Sequence, residues 1–302
     1  MKSARPAAPR DVGGWWREIE RRFARGRLYF GHGTENASDE AAWLVCHVLK
    51  IPFDELSGAL DRPVRGPAAR RLAAIAARRL RTREPLAYLL HEAWLADHRF
   101  YIDRRAIVPR SHIAELIPLG LARWLPRTGP QRVLDLCTGS GCLAILAALA
   151  FPNADVDAAD LSRDALKVAR RNVVDYRLQK RVRLVASDLF SELVNMRYDL
   201  ILCNPPYVTD SAMRRLPAEY RAEPRFALAG GTDGMKIVSR LLDAAPPHLT
   251  AKGILIVEVG DGRLRVERGF PKLSLTWLAT GASDAAVFLV RAATLQSTSF
   301  AP

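Results

Sequence analysis

The sequence predicts an α/β protein, in which a mostly parallel sheet follows a small helical domain and a β-hairpin linker. Three observations lead there. From Arg132 onward, short apolar strands alternate with helices, the pattern of repeated βα units. Residues 1–92 hold no such strands and read as helices. Between them, residues 93–111 carry closely spaced aromatic and β-branched side chains around a polar break. The predicted division is a helical domain over 1–92, a hairpin linker over 93–111 and an α/β domain over 112–302. A chain of 302 residues, 49% hydrophobic and 25% charged, has material for two cores.

In the helical domain, Trp15, Trp16, Ile19 and Phe23 share one face of a helix that ends around Gly26. A second helix is predicted over 36–50, with Asn36 or Ser38 as its cap. Pro67 suits the first turn of a third, in which Leu72, Ile75, Arg79 and Leu80 lie on one side. In the linker, Trp94, Phe100, Tyr101, Ile102, Ile107 and Val108 flank Asp103, Arg104 and Arg105, so the hairpin turn is expected at that polar break. A helix over 112–125 follows. Strands are then predicted over 133–136, 155–159, 182–186, 198–203 and 253–259, with a closing pair over 275–278 and 286–290. Helices over 141–150, 162–176 and 234–249 connect them, the second capped by Ser162. Such a sheet is covered on both faces and binds ligands at the carboxyl ends of its strands.

Composition narrows the function classes. No apolar run approaches the ~20 residues of a membrane span; the longest, residues 142–151, reads as a buried helix. The basic N-terminus lacks an apolar segment behind it, so no secretory signal is expected and the protein is placed in the cytoplasm. Cys46, Cys137, Cys142 and Cys203 are scattered, which predicts small buried side chains and no metal site. Net charge is +13, from 45 basic and 32 acidic residues, which favours polyanionic partners such as a nucleic acid or a ribonucleoprotein. The densest stretches, 17–27 and 65–83, read equally well as solvated helix faces. Oligomeric state is left open.

The chemistry sits at strand ends. Asp135 lies near the end of the first parallel strand, and Cys137, Thr138, Gly139, Ser140 and Gly141 turn the chain into a helix. Gly139 and Gly141 are expected to let the backbone approach a ligand. Asp160, with Leu161 beside it, ends the second strand, where a carboxylate can accept from both hydroxyls of a ribose. Ser187, Asp188 and Leu189 end the third, with Asp188 suited to the exocyclic amine of adenine. Acids near a pyrophosphate would repel it but attract a sulfonium, so an adenosine-bearing cofactor without phosphates fits. After the fourth strand come Asn204, Pro205, Pro206 and Tyr207. The two prolines stiffen the loop, so that the Asn204 side chain and the Pro205 carbonyl can accept two hydrogen bonds from one NH2 group. Tyr207 offers a flat face to a planar amide or a base.

This order of motifs resembles the class I, Rossmann-like S-adenosylmethionine-dependent methyltransferases, with a mostly parallel seven-stranded sheet. The Asn204–Tyr207 quartet resembles those that methylate planar NH2 groups. Within them the chain is similar to the protein-glutamine N5-methyltransferase family across nearly its whole length. The matches are Glu84, Pro85, Leu86, Ala87 and Tyr88; the run from Asp135 to Gly141; Asn204 to Tyr207; and Ala229, Gly230, Gly231, Thr232, Asp233 and Gly234. Residues 108–117 and Phe30, Gly31, His32, Gly33 and Thr34 resemble the branch acting on large-subunit ribosomal protein L-three, as does Cys137. His112 departs from the proline common in that branch, and the tail after Gly260 is short.

The resemblance implies S-adenosylmethionine as cofactor, held by Asp135, Thr138, Gly139, Gly141, Asp160, Leu161, Ser187, Asp188, Leu189 and Asn204. It implies a glutamine amide held by Asn204, Pro205, Pro206 and Tyr207, of which Asn204, Pro205 and Tyr207 are catalytic. It implies a large-subunit ribosomal protein as partner, with ribosomal RNA contact through the basic surface; no residue of the sequence reads as a strong general base. The competing readings are the release-factor branch, an N6-adenine methyltransferase stacking a flipped base on Tyr207, and a non-catalytic ribosome-assembly factor.

Overall fold

A computed structural model of the chain describes residues 9–119, 121, 123–281 and 284–297. They divide into two compact units, one made of the chain up to Glu92 with Pro217–Ala222, the other of Ala93–Leu216 and Glu223 onward.

The first unit is helical: α1 (Val12–Arg25), α2 (Ala37–Leu49), α3 (Gly66–Thr82) and α4 (Leu86–Leu90). In α1, Val12, Trp15, Ile19 and Phe23 recur at helical spacing and are buried. Asp11 caps this helix, its carboxylate accepting from Gly14 N at 2.7 Å. Asn36 caps α2, accepting from Asp39 N at 2.9 Å. The basic stretch over α3 is not wholly solvated. Arg79 is fully buried and donates to Glu40 at 2.7 Å and to the Tyr29 carbonyl at 3.1 Å. Glu219, brought into this unit by the 217–222 excursion, accepts from Tyr29 N at 3.0 Å and from Arg83 at 3.3 Å.

The second unit opens with the hairpin β1 (Ala93–Leu95) and β2 (His98–Phe100). Its turn lies at Ala96 and Asp97, both with positive φ (48° and 60°), and not at Asp103–Arg105. Two consecutive left-handed residues match the twist of the flanking strands and close the shortest loop. The polar break is a separate turn, in which Ala106 N donates to the Asp103 carbonyl at 3.2 Å. Helix α5 spans Ile113–Leu119; of the residues expected to extend it to 125, 120 and 122 lie outside those described.

Then come β3 (Arg132–Leu136), α6 (Cys142–Ala150), β4 (Asp155–Asp160), α7 (Arg163–Asp175), β5 (Val182–Ala186) and β6 (Tyr198–Cys203). The chain closes with α8 (Asp210–Arg215), α9 (Lys236–Ala244), β7 (Leu249–Glu258), α10 (Arg263–Gly269), β8 (Thr276–Leu278), β9 (Val287–Arg291) and α11 (Ala292–Ser297). Helix α9 stops short of the predicted 249 because Pro246 and Pro247 cannot continue it. The seven-stranded sheet has the order β5-β4-β3-β6-β7-β9-β8; β3 to β7 run parallel, while β9 is antiparallel to both neighbours.

Alternate residues of the strands face opposite cores. Val133, Val156, Leu200, Leu202 and Ile254 pack with α5, α6 and α7. Leu134, Leu136, Ile201, Cys203 and Leu255 pack with α9, α10 and α11. This period of two, with helices on both faces, leaves the carboxyl edge as the place where strands stop and loops begin.

Candidate active site

Register decides which residues meet. Leu136 pairs with Ala159 on one side and Cys203 on the other, and Cys203 pairs with Val257. The next residue on each strand is therefore Asp160, Cys137, Asn204 or Glu258. They stand in a row along one edge, across the point between β3 and β6 where strand order reverses.

A cavity of about 830 Å3, measured with its open mouth, lies over this edge. Gly139, Asp160, Leu161, Ser187, Asp188, Leu189, Asn204 and Pro206 line it. Arg105, Ile107, Phe226 and Ile237 add walls that the sequence did not single out as site residues. Leu161 and Phe226 are 68% and 53% exposed, unusual for large apolar side chains, and both belong to this wall.

Asp160 is buried, one carboxylate oxygen accepting from Gly139 N and the other from Ser162 N, each at 2.8 Å. Burial pushes its pKa up against those two donors. Asp188 is half-exposed and accepts from Arg240 at 2.9 Å. The Ser187 hydroxyl is spent on its own loop, donating to the Leu189 carbonyl at 2.7 Å.

Three expected ligand contacts lie behind the cavity instead. Asp135 is 1% exposed, and one oxygen accepts from the Thr138 hydroxyl at 2.5 Å and from Ala144 N at 3.0 Å. Asp135 and Thr138 thus tie the glycine turn to the start of α6. Gly141 has φ of +81°, and a Cβ there would stand 3.1 Å from the Cβ of Ala169 on α7. Its missing side chain serves helix packing, not ligand approach.

The segment after β6 is braced from behind. Val208 N donates to the Leu228 carbonyl at 2.9 Å, and Gly230 N donates back to the Val208 carbonyl at 2.8 Å. A Cβ on Gly230 would lie 2.7 Å from the Tyr207 Cα, and one on Gly234 would collide with the Tyr207 carbonyl. The run Ala229–Gly234, seen in the sequence only as a family match, is the backing of the Asn204–Tyr207 corner. Pro205 is buried and, like Tyr207, is not on the cavity wall.

Residues 120–219 match the methyltransferase small domain, and residues 22–90 match the PrmC N-terminal domain. The chain is 52% identical to the ribosomal protein uL3 glutamine methyltransferase of Bordetella pertussis, over 89% of this chain and 91% of that protein. It is 50% identical to the protein of that name from Burkholderia pseudomallei, over 91% and 92% of the two chains. For the one from Bradyrhizobium diazoefficiens the identity is 47%, over 91% and 88%. The chain belongs to the ribosomal protein uL3 glutamine methyltransferase family.

For a methyltransferase of this family, sequence reasoning passed over Glu258. Its carboxylate is 1% exposed and accepts from the Ser111 hydroxyl at 2.6 Å, His112 N at 2.9 Å and the Tyr207 hydroxyl at 3.3 Å. The signal was available, since an acid ending an apolar strand is what marks Asp160. Glu223 was also missed. It takes Arg110 at 2.7 and 2.6 Å and Val108 N at 2.9 Å, fixing the loop that carries Phe226.

Asp135 makes stability depend on pH. Burial raises its pKa to about 7, well above the ordinary carboxylate value of 3.8. Between those values the folded chain keeps a proton that the unfolded chain has released, so stability falls as pH rises through the window. Asp135→Asn removes that dependence. We expect the melting temperature of the wild type to drop more between pH 5 and pH 8 than that of the variant; parallel curves would refute this.

Proposed function

We propose that this chain transfers a methyl group from S-adenosylmethionine to the side-chain amide nitrogen, N5, of a glutamine in large-subunit ribosomal protein uL3. The observation that carries the reading is the braced corner after β6, which sets Asn204 and Pro206 on the wall of the carboxyl-edge cavity. The activity named for the relatives supports it.

The cavity fits an adenosine-bearing sulfonium. Nothing lies within 4 Å of where a Cβ of Gly139 would stand, so the backbone there is open to a ligand. Each oxygen of Asp160 accepts one amide and keeps a lone pair for a ribose hydroxyl. Leu161 and Phe226 offer apolar faces to a flat base, with Asp188 as acceptor for its amine and Ser187 and Leu189 completing the wall. Asp135, Thr138 and Gly141 shape the loop from behind.

Bound S-adenosylmethionine supplies an electrophilic methyl group. The remaining work falls to the chain. An amide nitrogen is a poor nucleophile because its lone pair is delocalised into the carbonyl. In the proposed complex Asn204 Oδ1, on the wall, and the carbonyl of Pro205, a residue that does not itself line the cavity, accept its two N–H bonds and direct the nitrogen lone pair into the cavity. The same acceptors stabilise positive charge developing on nitrogen, by about 3–4 kcal/mol for one such group by analogy with oxyanion holes. Positioning contributes further, and the proton released afterwards passes to water. Glutamate is rejected because its carboxylate has no donors for these oxygens and brings a like charge to them. The unit beginning with α1 is assigned to recognition of the protein target, the α/β unit to chemistry.

The target implies a cytoplasmic enzyme working near ribosomal RNA; no described helix is long and apolar enough to cross a membrane. Arg25, Arg27, Arg70, Arg71 and Arg81 are exposed and have no carboxylate partner among the described residues. Helix α3 contains no acidic residue at all. These arginines are the proposed RNA contacts.

Radiolabelled cofactor offered with uL3, a release factor or RNA tests the assignment. Label is expected on uL3 alone and is lost when the acceptor glutamine becomes glutamate; label on RNA or on the release factor would overturn it. Asn204→Ala should lower turnover at least ~100-fold with cofactor affinity retained, and Asp160→Ala should chiefly raise the cofactor KM. Loss of cofactor binding with normal turnover in the first variant, or an unchanged KM in the second, would remove that residue from its role. Replacing Arg70, Arg71 and Arg81 by Gln should flatten the dependence of log K on log salt for a ribosomal RNA fragment by about 2. An unchanged slope would rule out this helix as the contact.

A further inference from the structure

The functional reading leaves Glu258 without a task, although it holds three separate segments of the α/β unit. Its own strand, β7, ends at it; Ser111 and His112 lead into α5; Tyr207 closes the corner after β6. A buried carboxylate is costly unless its lone pairs are engaged, and an apolar side chain would serve strand packing at less cost. Here both oxygens are engaged, and one of them by the Tyr207 hydroxyl at 3.3 Å. The ring of Tyr207 is fixed as well, because it lies over Gly260, where a Cβ would come within 2.7 Å of its Cε2. Tyr207 is therefore held at its backbone by Gly230 and Gly234, at its ring by Gly260 and at its tip by Glu258.

We propose that Glu258 is a positioning residue for methyl transfer: by holding the Tyr207 hydroxyl it fixes the orientation of the corner that carries Asn204 and Pro205. The inference rests on the function proposed above. It requires only that the corner can tilt when its end is released. A displacement of about 1 Å in a reacting group is enough to lower turnover on the order of 100-fold.

The test is a double-mutant cycle with Glu258→Gln, Glu258→Ala, Tyr207→Phe and the pair Glu258→Ala with Tyr207→Phe, assayed on uL3 with cofactor affinity measured separately. Glu258→Ala is expected to lower kcat on the order of 10- to 100-fold with cofactor affinity within about twofold of wild type. Glu258→Gln keeps an acceptor oxygen and should recover most of that loss. The double variant should be no slower than the slower single variant, because both remove one interaction. Wild-type kcat in Glu258→Ala, or losses that multiply in the double variant, would overturn the proposal. So would a lowered melting temperature with unchanged kcat, which would make Glu258 a residue of the fold alone. If Glu258→Ala does not fold, Tyr207→Phe, which removes the same hydrogen bond from its other end, decides: wild-type kcat in that variant would overturn the proposal. Absence of transfer to uL3 by the wild type would instead defeat the underlying function, and is seen before any variant is made.

Discussion

The carboxyl edge of the sheet depends on holding residues 204–207 in one place. Two prolines narrow what the backbone can do there, but they also strip it of N–H donors. Pro205 and Pro206 offer no amide to pin the corner, and support comes also from the residues beyond it in the chain and from the loop packed behind it. Val208 is the first residue to enter a ladder, exchanging hydrogen bonds with Leu228 and Gly230. Gly230 and Gly234 then bring a second backbone within contact of Tyr207, closer than any side chain would permit. Stiffness comes from one loop and close approach from the other. Neither suffices alone: prolines without backing would leave a rigid corner free to swing, and glycines without prolines would back a corner with no fixed shape.

The fold was legible because strand alternation and helix caps are local signals. Apolar residues on β3, β4, β6 and β7 divide between two cores as their period of two requires, and Asn36 and Ser162 cap the helices that follow them. The hairpin turn was misplaced because Ala96 and Asp97 lack the glycine or asparagine that usually marks two left-handed residues, while the charged Asp103–Arg105 mimics a turn between strands. At the carboxyl edge, the meeting of Asp160, Asp188 and Asn204 on one cavity wall was legible from strand ends. What could not be read was direction. Asp135 and Thr138 point back into the turn, and Gly141 faces Ala169 on a helix far along the chain. Arg79 sits in a run of arginines that reads as a solvated face, yet its partner Glu40 comes from another helix. Glu258 reads as no more than the end of an apolar strand, because its donors lie about 50 and 150 residues away.

Buried acids along this edge also bear on which substrates it can accept. Asp135, Asp160 and Glu258 all have pKa values raised chiefly by loss of water, so the fold already holds carboxylates where ionisation is unfavourable. A substrate carboxylate entering beside Asn204 would add a fourth such group; among the described residues the cavity wall has no arginine or lysine besides Arg105, which pairs with Asp103 at 2.6 Å. A neutral amide adds no charge and brings two donors to an edge rich in acceptors. On the proposed mechanism, discrimination between glutamine and glutamate does not rest on the hydrogen bonds assigned to Asn204 and Pro205 alone. It is reinforced, in that mechanism, by a water-poor edge where one more carboxylate is costly to ionise, so scaffold and selectivity draw on the same burial.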